Sequence, residues 1–422
     1  MPPTHHDPTP DTSEQGWRKA YRKAMIRMRV WREAPVARGR LAEVLGLNLP
    51  TVSSCVAELL AEGDLVERGY ADSTGGRKAQ LLEMNPSSGS VIGVTYSSRG
   101  VGAAWADMRG DLRNVVTIPL STSVGKEKVL STLRSAIADQ LEEVRRNPVA
   151  GPVRLIGVGI SGLLDAAAGV SEEFPRFEEW RDVPLRAIIE EWFGVPTVLD
   201  GRVAAITLAE AVFGLHAPLH NALYVQLGPG LGMGIVIDGR LYRGSRQSVG
   251  EFGHTTITDG GPICYCGNYG CLESQASDYA LVQQAEAGIR EGVSTRIGDY
   301  AQGGAITPAA IFQAADAGDR FAANLVERVA RLLGAGIANL VNLFAPEVVI
   351  VGGTMAEAGD VLMNPLCATV RTRALEQMEK DVQIRLASFG LTEAIKGATT
   401  MALHHHLARD IEAVAAAGRP QF

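Results

Sequence analysis

Three of the chain's five cysteines fall within eight residues, and this cluster limits the fold more than any other feature of the 422-residue sequence. Cys264, Cys266 and Cys271 lie in the segment HTTITDGGPICYCGNYGCLE, which begins at His254 and ends at Glu273. Three thiolates and one imidazole suit a tetrahedral structural zinc with no position open for water. A chance cluster of free cysteines is the alternative, and the odd, sparse cysteine count argues against disulfides. We expect a structural Zn²⁺ bound by His254, Cys264, Cys266 and Cys271.

The same segment carries a family resemblance. G-E-F-G-H, ending at His254, and C-x-C-G-x-x-G-C-x-E, ending at Glu273, together resemble the signature of the ROK family of repressors, open reading frames and sugar kinases. The resemblance runs from about Val91 to about Arg409 and includes three further motifs: G-x-G-x-G at Gly230–Gly234, I-D-G-R-L-Y-R-G at Ile237–Gly244 and V-V-I-V-G-G at Val348–Gly353. It implies an α/β fold, namely an actin-like, two-lobed sugar-kinase (ribonuclease H-like) body with a ligand cleft between the lobes.

The N-terminal part of the chain differs in charge from the rest. Residues 17–80 contain 12 Lys and Arg against 7 Asp and Glu, a local charge of +5 in a chain whose formal net charge is −7. Such asymmetry indicates that one end of the chain meets a polyanion. Residues 1–16 are rich in Pro, Thr, Asp and His, and we predict a disordered tail there.

The pattern of residues 17–82 predicts a winged helix-turn-helix. After a basic helix come two short helices, separated by a break at Gly46 and a cap at Asn48. Two strands follow, at Leu65–Arg68 and Gln80–Met84, and they form a wing with residues 73–78 at its tip. An ordinary helical hairpin is the alternative.

ROK-family repressors carry a winged helix of this kind in front of the body, and the resemblance implies the same arrangement here. We expect double-stranded DNA to contact polar residues of the first helix, the recognition helix and the wing: Arg22, Asn48, Thr51, Ser53, Ser54, Arg77 and Lys78. A homo-oligomer, a dimer or tetramer, would place two recognition helices on a palindromic operator.

Alternating strands and helices begin at Val91. We expect a first lobe over residues 91–213 and a second lobe over residues 214–392. The second lobe contains the cysteine-rich segment from His254 to Glu273, which is called the metal loop below. A C-terminal helix over residues 393–415 is expected to pack back on the first lobe. Within it, His404-His405-His406 are interpreted as facing different directions, and Cys55 and Cys367 as packing residues elsewhere.

The resemblance also shows which parts of a kinase are missing. A ROK kinase holds ATP phosphates with D-x-G-G-T, where this chain has Thr95-Tyr96-Ser97-Ser98-Arg99. The family's catalytic Asp falls on Arg202, which cannot accept a proton at neutral pH, and Asp200 is displaced by two residues. Pro229 stands where the second phosphate loop has Thr. We predict no catalytic residues and no kinase activity; a kinase with a DNA-binding head is the alternative.

Sugar-binding positions are kept only in part. Gly162, Glu251, His254 and Glu273 match ligand-binding positions of the family, but its Asn-Asp pair is missing. Support of the metal loop is the alternative for both glutamates. The effector is therefore a sugar in another pose, a sugar derivative, or absent, which would leave a ligand-independent DNA binder. No apolar run approaches the ~20 residues that cross a bilayer. We expect a cytoplasmic repressor of carbohydrate-related genes without a membrane partner.

Overall fold

The computed structural model describes residues 14–71, 78–98, 100–120, 124–174, 176–245 and 249–416. The disordered tail was predicted over residues 1–16. Residues 1–13 lie outside the described residues, and residues 14–16 belong to the first helix rather than to a tail. The predicted wing tip also lies outside them, except for the exposed Lys78.

A helix-turn-helix followed by two antiparallel strands forms the N-terminal unit, called the head below. Its elements are α1 (Glu14–Glu33), β1 (Val36–Ala37), α2 (Arg38–Leu45), α3 (Leu49–Ala61), β2 (Leu65–Tyr70) and β3 (Gln80–Met84). Gly46 ends α2 with a φ of 63°, and the Asn48 side chain begins α3 by accepting a hydrogen bond from the Thr51 N–H at 2.9 Å. Both predicted boundary signals are confirmed, and the axes of α2 and α3 meet at 120°.

The strands of the head pair in the order β1-β3-β2. β2 and β3 are antiparallel, with Leu65 opposite Met84, as the wing prediction requires. β1 pairs with the other edge of β3, where Val36 lies opposite Leu82. This third strand was not predicted, because two residues are too short to show an alternating pattern.

The first lobe follows the head. Its elements are β4 (Ser90–Ser97), β5 (Gly100–Asp107), β6 (Leu112–Pro119), β7 (Val124–Gly125), α4 (Lys126–Arg146), β8 (Val153–Ile160), β9 (Leu163–Asp165), β10 (Val170–Glu173), β11 (Phe177–Glu178), β12 (Arg181–Val183), α5 (Leu185–Phe193), β13 (Thr197–Gly201) and α6 (Arg202–Phe213). Its main sheet has the order β13-β8-β4-β5-β6. Every residue of β5 is buried, because helices or strands cover both faces of this sheet.

The second lobe repeats that topology. Its elements are β14 (Ala222–Leu227), β15 (Leu231–Ile237), β16 (Arg240–Leu241), α7 (Glu273–Ala276), α8 (Asp278–Arg290), α9 (Pro308–Asp316), α10 (Arg320–Phe344), β17 (Val348–Gly352), α11 (Asp360–Arg373), α12 (Glu376–Glu379) and β18 (Gln383–Leu386). The sheet order is β16-β15-β14-β17-β18. In each lobe three strands form an antiparallel meander and two more join in parallel, so the body is an α/β fold of two similar lobes.

The last helix, α13 (Glu393–Ala416), lies directly on the first sheet. A Cβ at Gly93 of β4 would lie 2.5 Å from Thr399 Cγ2 and 2.6 Å from the Thr399 backbone nitrogen. The helix can approach this strand so closely only because residue 93 has no side chain.

The head and the body share one apolar cluster. Its buried members are Ile26, Val30 and Trp31 of α1; Val52, Val56 and Leu59 of α3; Leu208 and Val212 of α6; and Met401, Leu403 and Leu407 of α13. The head therefore completes its core with side chains of the body.

Among the described residues, no single helix has the length and apolar character needed to span a bilayer, although the strongly bent pair α2 and α3 meets that criterion when the two are taken together.

Candidate functional site

A cavity of about 590 Å³ lies between the lobes, and residues of both lobes line it. This volume is typical of a site for a small molecule. All four residues that the sequence analysis assigned to ligand binding line the cavity: Gly162, Glu251, His254 and Glu273. The fold therefore brings together residues that lie more than 100 positions apart.

The predicted metal ligands converge beside this cavity, and two of them, His254 and Cys264, line it. The donor atoms of His254, Cys264, Cys266 and Cys271 all lie within 4.8 Å of one another. His254 Nδ1 is 3.7 Å from Cys264 Sγ, and the sulfurs of Cys266 and Cys271 are 3.8 Å apart. Two sulfurs bound to one tetrahedral zinc at ~2.3 Å would be separated by ~3.8 Å. The donor set and its spacing fit a four-coordinate metal.

Local backbone geometry brings the ligands together. Isolated bridges pair Thr256 with Cys271 and Ile263 with Tyr269, which folds the loop back on itself. Gly270 has a φ of 71°, and a Cβ there would lie 1.8 Å from the Thr258 carbonyl oxygen. Any side chain at residue 270 would open the turn that places Cys271 beside the other ligands.

The three thiols differ in acidity. A hydrogen bond from the Asn268 amide lowers the pKa of Cys266 to about 7, whereas burial raises the pKa of Cys264 and brings that of Cys271 to about 12. Cys266 is therefore the first thiolate available at neutral pH, and a bound metal would deprotonate the other two.

Several contacts join the metal loop to the cavity. The Nε2 atom of His254 is 3.0 Å from the Tyr265 hydroxyl and 4.0 Å from Glu251 Oε2. Glu273 is buried and accepts a hydrogen bond from the Leu231 N–H at 2.9 Å. This bond joins Glu273 to the first residue of β15, while Glu251 stays exposed on the cavity wall.

The strand that carries phosphate-binding residues in a kinase serves structural roles here. Thr95 is buried and donates a hydrogen bond to the Gly159 carbonyl at 3.0 Å. Tyr96 is fully buried, and its hydroxyl lies 2.8 Å from Ser171 Oγ. Ser97 and Ser98 line the cavity, as does Pro229 of the opposite loop. The fifth residue of the segment, Arg99, lies outside the described residues.

The position of the expected catalytic base is occupied by cationic and paired groups. Arg202 is the first residue of α6, and its Nη1 lies 3.4 Å from Gln226 Oε1. Asp200 is only 1% exposed; its Oδ2 lies 2.6 Å from Arg243 Nη1 and its Oδ1 accepts a hydrogen bond from the Gly201 N–H at 2.8 Å. Because Asp200 is buried and held by Arg243, it is poorly placed to replace a catalytic base.

The polar residues predicted to meet DNA lie on the outer side of α3 or at its start. Asn48 and Ser54 are exposed, whereas Thr51 and Ser53 are half-buried. Arg22 of α1 is also half-buried, and Arg77 lies outside the described residues. Leu49, which is 50% exposed, adds an apolar side chain to this surface.

Much of the positive charge of α1 faces the head itself. Lys19 lies 2.7 Å from Glu58, Lys23 forms an ion pair with Glu62, and Arg27 lies 3.1 Å from Asp64. The first helix therefore offers a polyanion fewer unpaired charges than its sequence predicts.

Contacts between α1 and the body involve an aromatic side chain and an ion pair. The ring of Trp31 lies 5.3 Å from that of Phe213 at the end of α6 and 6.3 Å from that of His404 in α13. Arg27 Nη2 also lies 2.7 Å from Asp410 of α13. Burial lowers the pKa of His404 to about 3, so its ring is neutral against Trp31.

Known proteins resemble the chain over most of its length. A family model described as the ROK family matches residues 98–405. The xylose repressor of Caldicellulosiruptor bescii is 32% identical over 368 residues, which cover 87% of this chain and 92% of that protein. The family match and the match to the xylose repressor each cover far more of the chain than the metal loop.

Two solved structures give a similar result. A ROK family transcriptional regulator, described as a homologue of the E. coli MLC protein, has a TM-score of 0.78 and 25% identity, covering 94% of this chain and 99% of that one. A ROK family glucokinase from Streptomyces griseus, solved with glucose and AMPPNP, has a TM-score of 0.65 and 29% identity. The match covers 74% of this chain and 99% of the kinase. About a quarter of this chain therefore has no counterpart in the kinase, compared with about 6% for the transcriptional regulator.

Proposed function

The chain belongs to the ROK family, and on that premise we propose that it is a DNA-binding transcriptional repressor whose cleft binds a sugar-related effector without phosphorylating it. The observation that carries the proposal is the winged helix-turn-helix packed onto the body through α1. Phosphorylation of a sugar does not require a DNA-binding unit, whereas repression by a ligand-responsive protein requires both a DNA-binding unit and a body that binds the ligand.

The proposal assigns DNA contacts to the head. The N-terminal half of α3 enters the major groove, where Asn48, Thr51, Ser53 and Ser54 meet base edges or phosphates, because recognition helices of this type use their first turns for base contacts. Arg22, Arg77 and Lys78 are assigned to the DNA backbone or a neighbouring groove. A homo-oligomer presents two such helices to a palindromic operator.

The division of the chain is part of the proposal. We assign residues 17–82 to DNA binding, residues 91–213 with 393–415 to the first lobe, and residues 214–392 to the second lobe. The packing of α13 against β4 of the first sheet supports this division. The secondary structure of the head extends slightly beyond residues 17–82, because α1 begins at Glu14 and β3 ends at Met84.

The absence of catalysis is supported by the chemistry of the cleft. Arg202 remains charged and cannot act as a general base, and Asp200 is committed to Arg243. Among the described residues that line the cavity, the carboxylates are Glu251 and Glu273, and Glu273 already accepts a backbone hydrogen bond. A transferring phosphoryl group would find no base positioned for it.

The metal is proposed to be a structural Zn²⁺. His254, Cys264, Cys266 and Cys271 would bind it, and four protein ligands leave no coordination position for a substrate. The metal would fix the loop that bears His254 and Tyr265 and thereby shape one wall of the effector cleft.

Two helices connect the proposed effector site to the head. α6 begins at Arg202 in the cleft, and Phe213 at its other end contacts Trp31 of α1. α13 begins at Glu393, next to the Gln226 that contacts Arg202, and its Asp410 is paired with Arg27. A ligand that shifts either helix would change the position of α1 and, through it, the spacing of two recognition helices in a dimer.

The experiment that tests this function is done on the full-length protein. Removing residues 1–82 would expose the apolar sides of α6 and α13, so a truncated body is not a clean control. Instead, an operator is selected from random DNA, and its affinity is measured for Ser54→Glu and for Ser131→Glu. Both positions are exposed helical serines, but Ser131 belongs to α4 of the body.

We expect Ser54→Glu to bind the selected operator at least a hundredfold more weakly, because a carboxylate would face phosphates and base edges. Ser131→Glu should bind as the unmodified protein does. Equal affinity of both variants would show that α3 is not the DNA-reading element and would refute the proposed function.

A further inference from the structure

The cavity between the lobes is lined by more cationic than anionic side chains. Three arginines from separate segments line it, namely Arg176 before β11, Arg202 at the start of α6 and Arg243 after β16. Among the described lining residues, the opposing carboxylates are Glu251 and Glu273. Buried carboxylates lie behind two of these arginines, Asp200 beside Arg243 and Glu393 one residue beyond Arg202 through Gln226. An anion in the cavity would accept charge-assisted hydrogen bonds from the guanidinium groups, and these are stronger than the hydrogen bonds that a neutral sugar accepts.

Resting on the proposed function, we propose that the effector carries a carboxylate or phosphate group, and that Arg202 and Arg243 bind this group. The ligand class is thus an anionic sugar derivative, a sugar acid or a sugar phosphate, rather than a neutral sugar.

Arg202 is held in place by a short chain of buried polar groups. Its Nη1 lies 3.4 Å from Gln226 Oε1, and Gln226 Nε2 donates a hydrogen bond to Glu393 Oε1 at 3.2 Å. Glu393 also accepts a hydrogen bond from the Tyr224 hydroxyl at 2.6 Å. These bonds orient the guanidinium, and a planar guanidinium held in one orientation suits recognition of a carboxylate or phosphate.

Arg243 is fixed by a buried carboxylate. Its Nη1 lies 2.6 Å from Oδ2 of Asp200, a residue that is only 1% exposed, while 32% of the Arg243 side chain stays accessible. This ion pair holds one end of the guanidinium and leaves N–H groups for a ligand. Asp200 and Arg202 flank Gly201, so the two arginines are anchored at the same end of α6.

Arg176 adds a third guanidinium at a contact between the lobes. It lies over the ring of Tyr279 in α8, with 5.1 Å between the guanidinium carbon and the ring centroid. Tyr279 belongs to the second lobe and Arg176 to the first. An anion that attracts Arg176 would therefore alter a contact that bridges the mouth of the cleft.

The cationic and anionic groups have different neighbours. The arginines contact Asp200 of β13, Gln226 of β14 and Tyr279 of α8. The glutamates contact Leu231 of β15 and His254 of the metal loop. A ligand that carries both hydroxyl groups and an anionic group can use both sets of side chains, with its hydroxyl groups at the glutamates and its anionic group at the arginines.

The test measures binding of four probes with the same six-carbon skeleton to the full-length protein by titration calorimetry. Glucose is the neutral probe, gluconate and glucuronate carry a carboxylate, and glucose 6-phosphate carries a phosphate. At least one anionic probe should bind with a Kd at least tenfold below that of glucose, and its affinity should fall as salt is added. The carboxylate and phosphate probes distinguish the two sources of negative charge.

Variants assign the preference to the cleft. Arg202→Gln should reduce the preference for the anion to about twofold or less, whereas Arg181→Gln should keep it. Arg181 is a suitable control because its side chain is 77% exposed and it pairs with Glu173 outside the cavity. The comparison of probes on the unmodified protein stands even if Arg202→Gln does not fold.

Three results would overturn the inference: glucose binding as tightly as the anions, a preference that survives in Arg202→Gln, or no binding by any of the four probes. None of them would refute the proposed function, because that function is tested separately by the operator affinity of Ser54→Glu.

Discussion

Replacing Trp31 with alanine tests whether the head and body are one folding and signalling unit. Trp31 is 3% exposed, and its ring packs edge-to-face on Phe213 at 5.3 Å and lies 6.3 Å from His404. Truncating a buried Trp in a well-packed core costs about 3–5 kcal/mol, of which an aromatic pair accounts for ~0.5–1.5 kcal/mol. We expect the unfolding transition that contains the head to lose about 3–5 kcal/mol.

Calorimetry and guanidinium denaturation measure this loss, and operator binding is measured on the same samples. Trp192→Ala is the matched control, since Trp192 is only half-buried and packs on Phe193 and Arg134 within the first lobe. Trp31→Ala should also weaken any effect of a cleft ligand on operator affinity, whereas Trp192→Ala should leave that effect unchanged. A Trp31→Ala protein with a stability within 1 kcal/mol of the unmodified protein, and an intact ligand effect, would refute the shared core.

Four further outcomes are expected. Cys266→Ser should contain less than one zinc per chain by atomic absorption and Cys367→Ser a full equivalent; equal zinc in both would mean that the ligands are misassigned. Arg22→Ala should make the fall of log association constant with log salt concentration shallower by ~0.9 if this side chain meets a phosphate. Arg145→Ala on α4 is the control, and it should leave this slope unchanged. Asn48→Ala should cost about 0.5–2 kcal/mol in denaturation by removing the α3 cap, and no loss would contradict the capping bond. With Mg-ATP and glucose, N-acetylglucosamine, xylose or mannose, no phosphorylation above background should occur; turnover of ~1–100 per second would show an active kinase.

The convergence of the four candidate metal ligands and the turn of the head were predictable because their determinants are local in sequence. Cys264, Cys266 and Cys271 lie within one loop, and the geometry around Gly270 leaves few ways to arrange them. Gly46 ends α2 by its own backbone conformation, as the sequence predicts. Such signals need no knowledge of the tertiary fold.

The electrostatics of α1 could not be predicted from its sequence. The basic pattern predicted a phosphate-facing surface, but Lys23 pairs with Glu62, 39 residues away, and Arg27 with Asp410, 383 residues away. A charge pattern shows that cations are present but does not identify the acids that meet them in three dimensions. For the same reason, local sequence patterns could not show that the head shares a core with α13, because the partners are distant in sequence.

The arginines of the cleft show the same limit. Arg202 was recognised as the loss of a catalytic base, but not as part of a cationic cluster, because Arg176 and Arg243 reach the cavity from distant segments. Arg243 lies inside the I-D-G-R-L-Y-R-G motif, which was the one available signal. Only the folded arrangement places these guanidinium groups around one space.

A chain that reads a specific DNA sequence binds that sequence with a much lower dissociation constant than random DNA, and the ratio of the two constants can be measured. The full-length protein is titrated with its selected operator and with random DNA of equal length at the same physiological salt concentration. We expect the operator to bind at least about 10³-fold more tightly, as specific DNA-binding proteins do. A ratio close to one would contradict this expectation, because the head would then contribute charge without reading sequence.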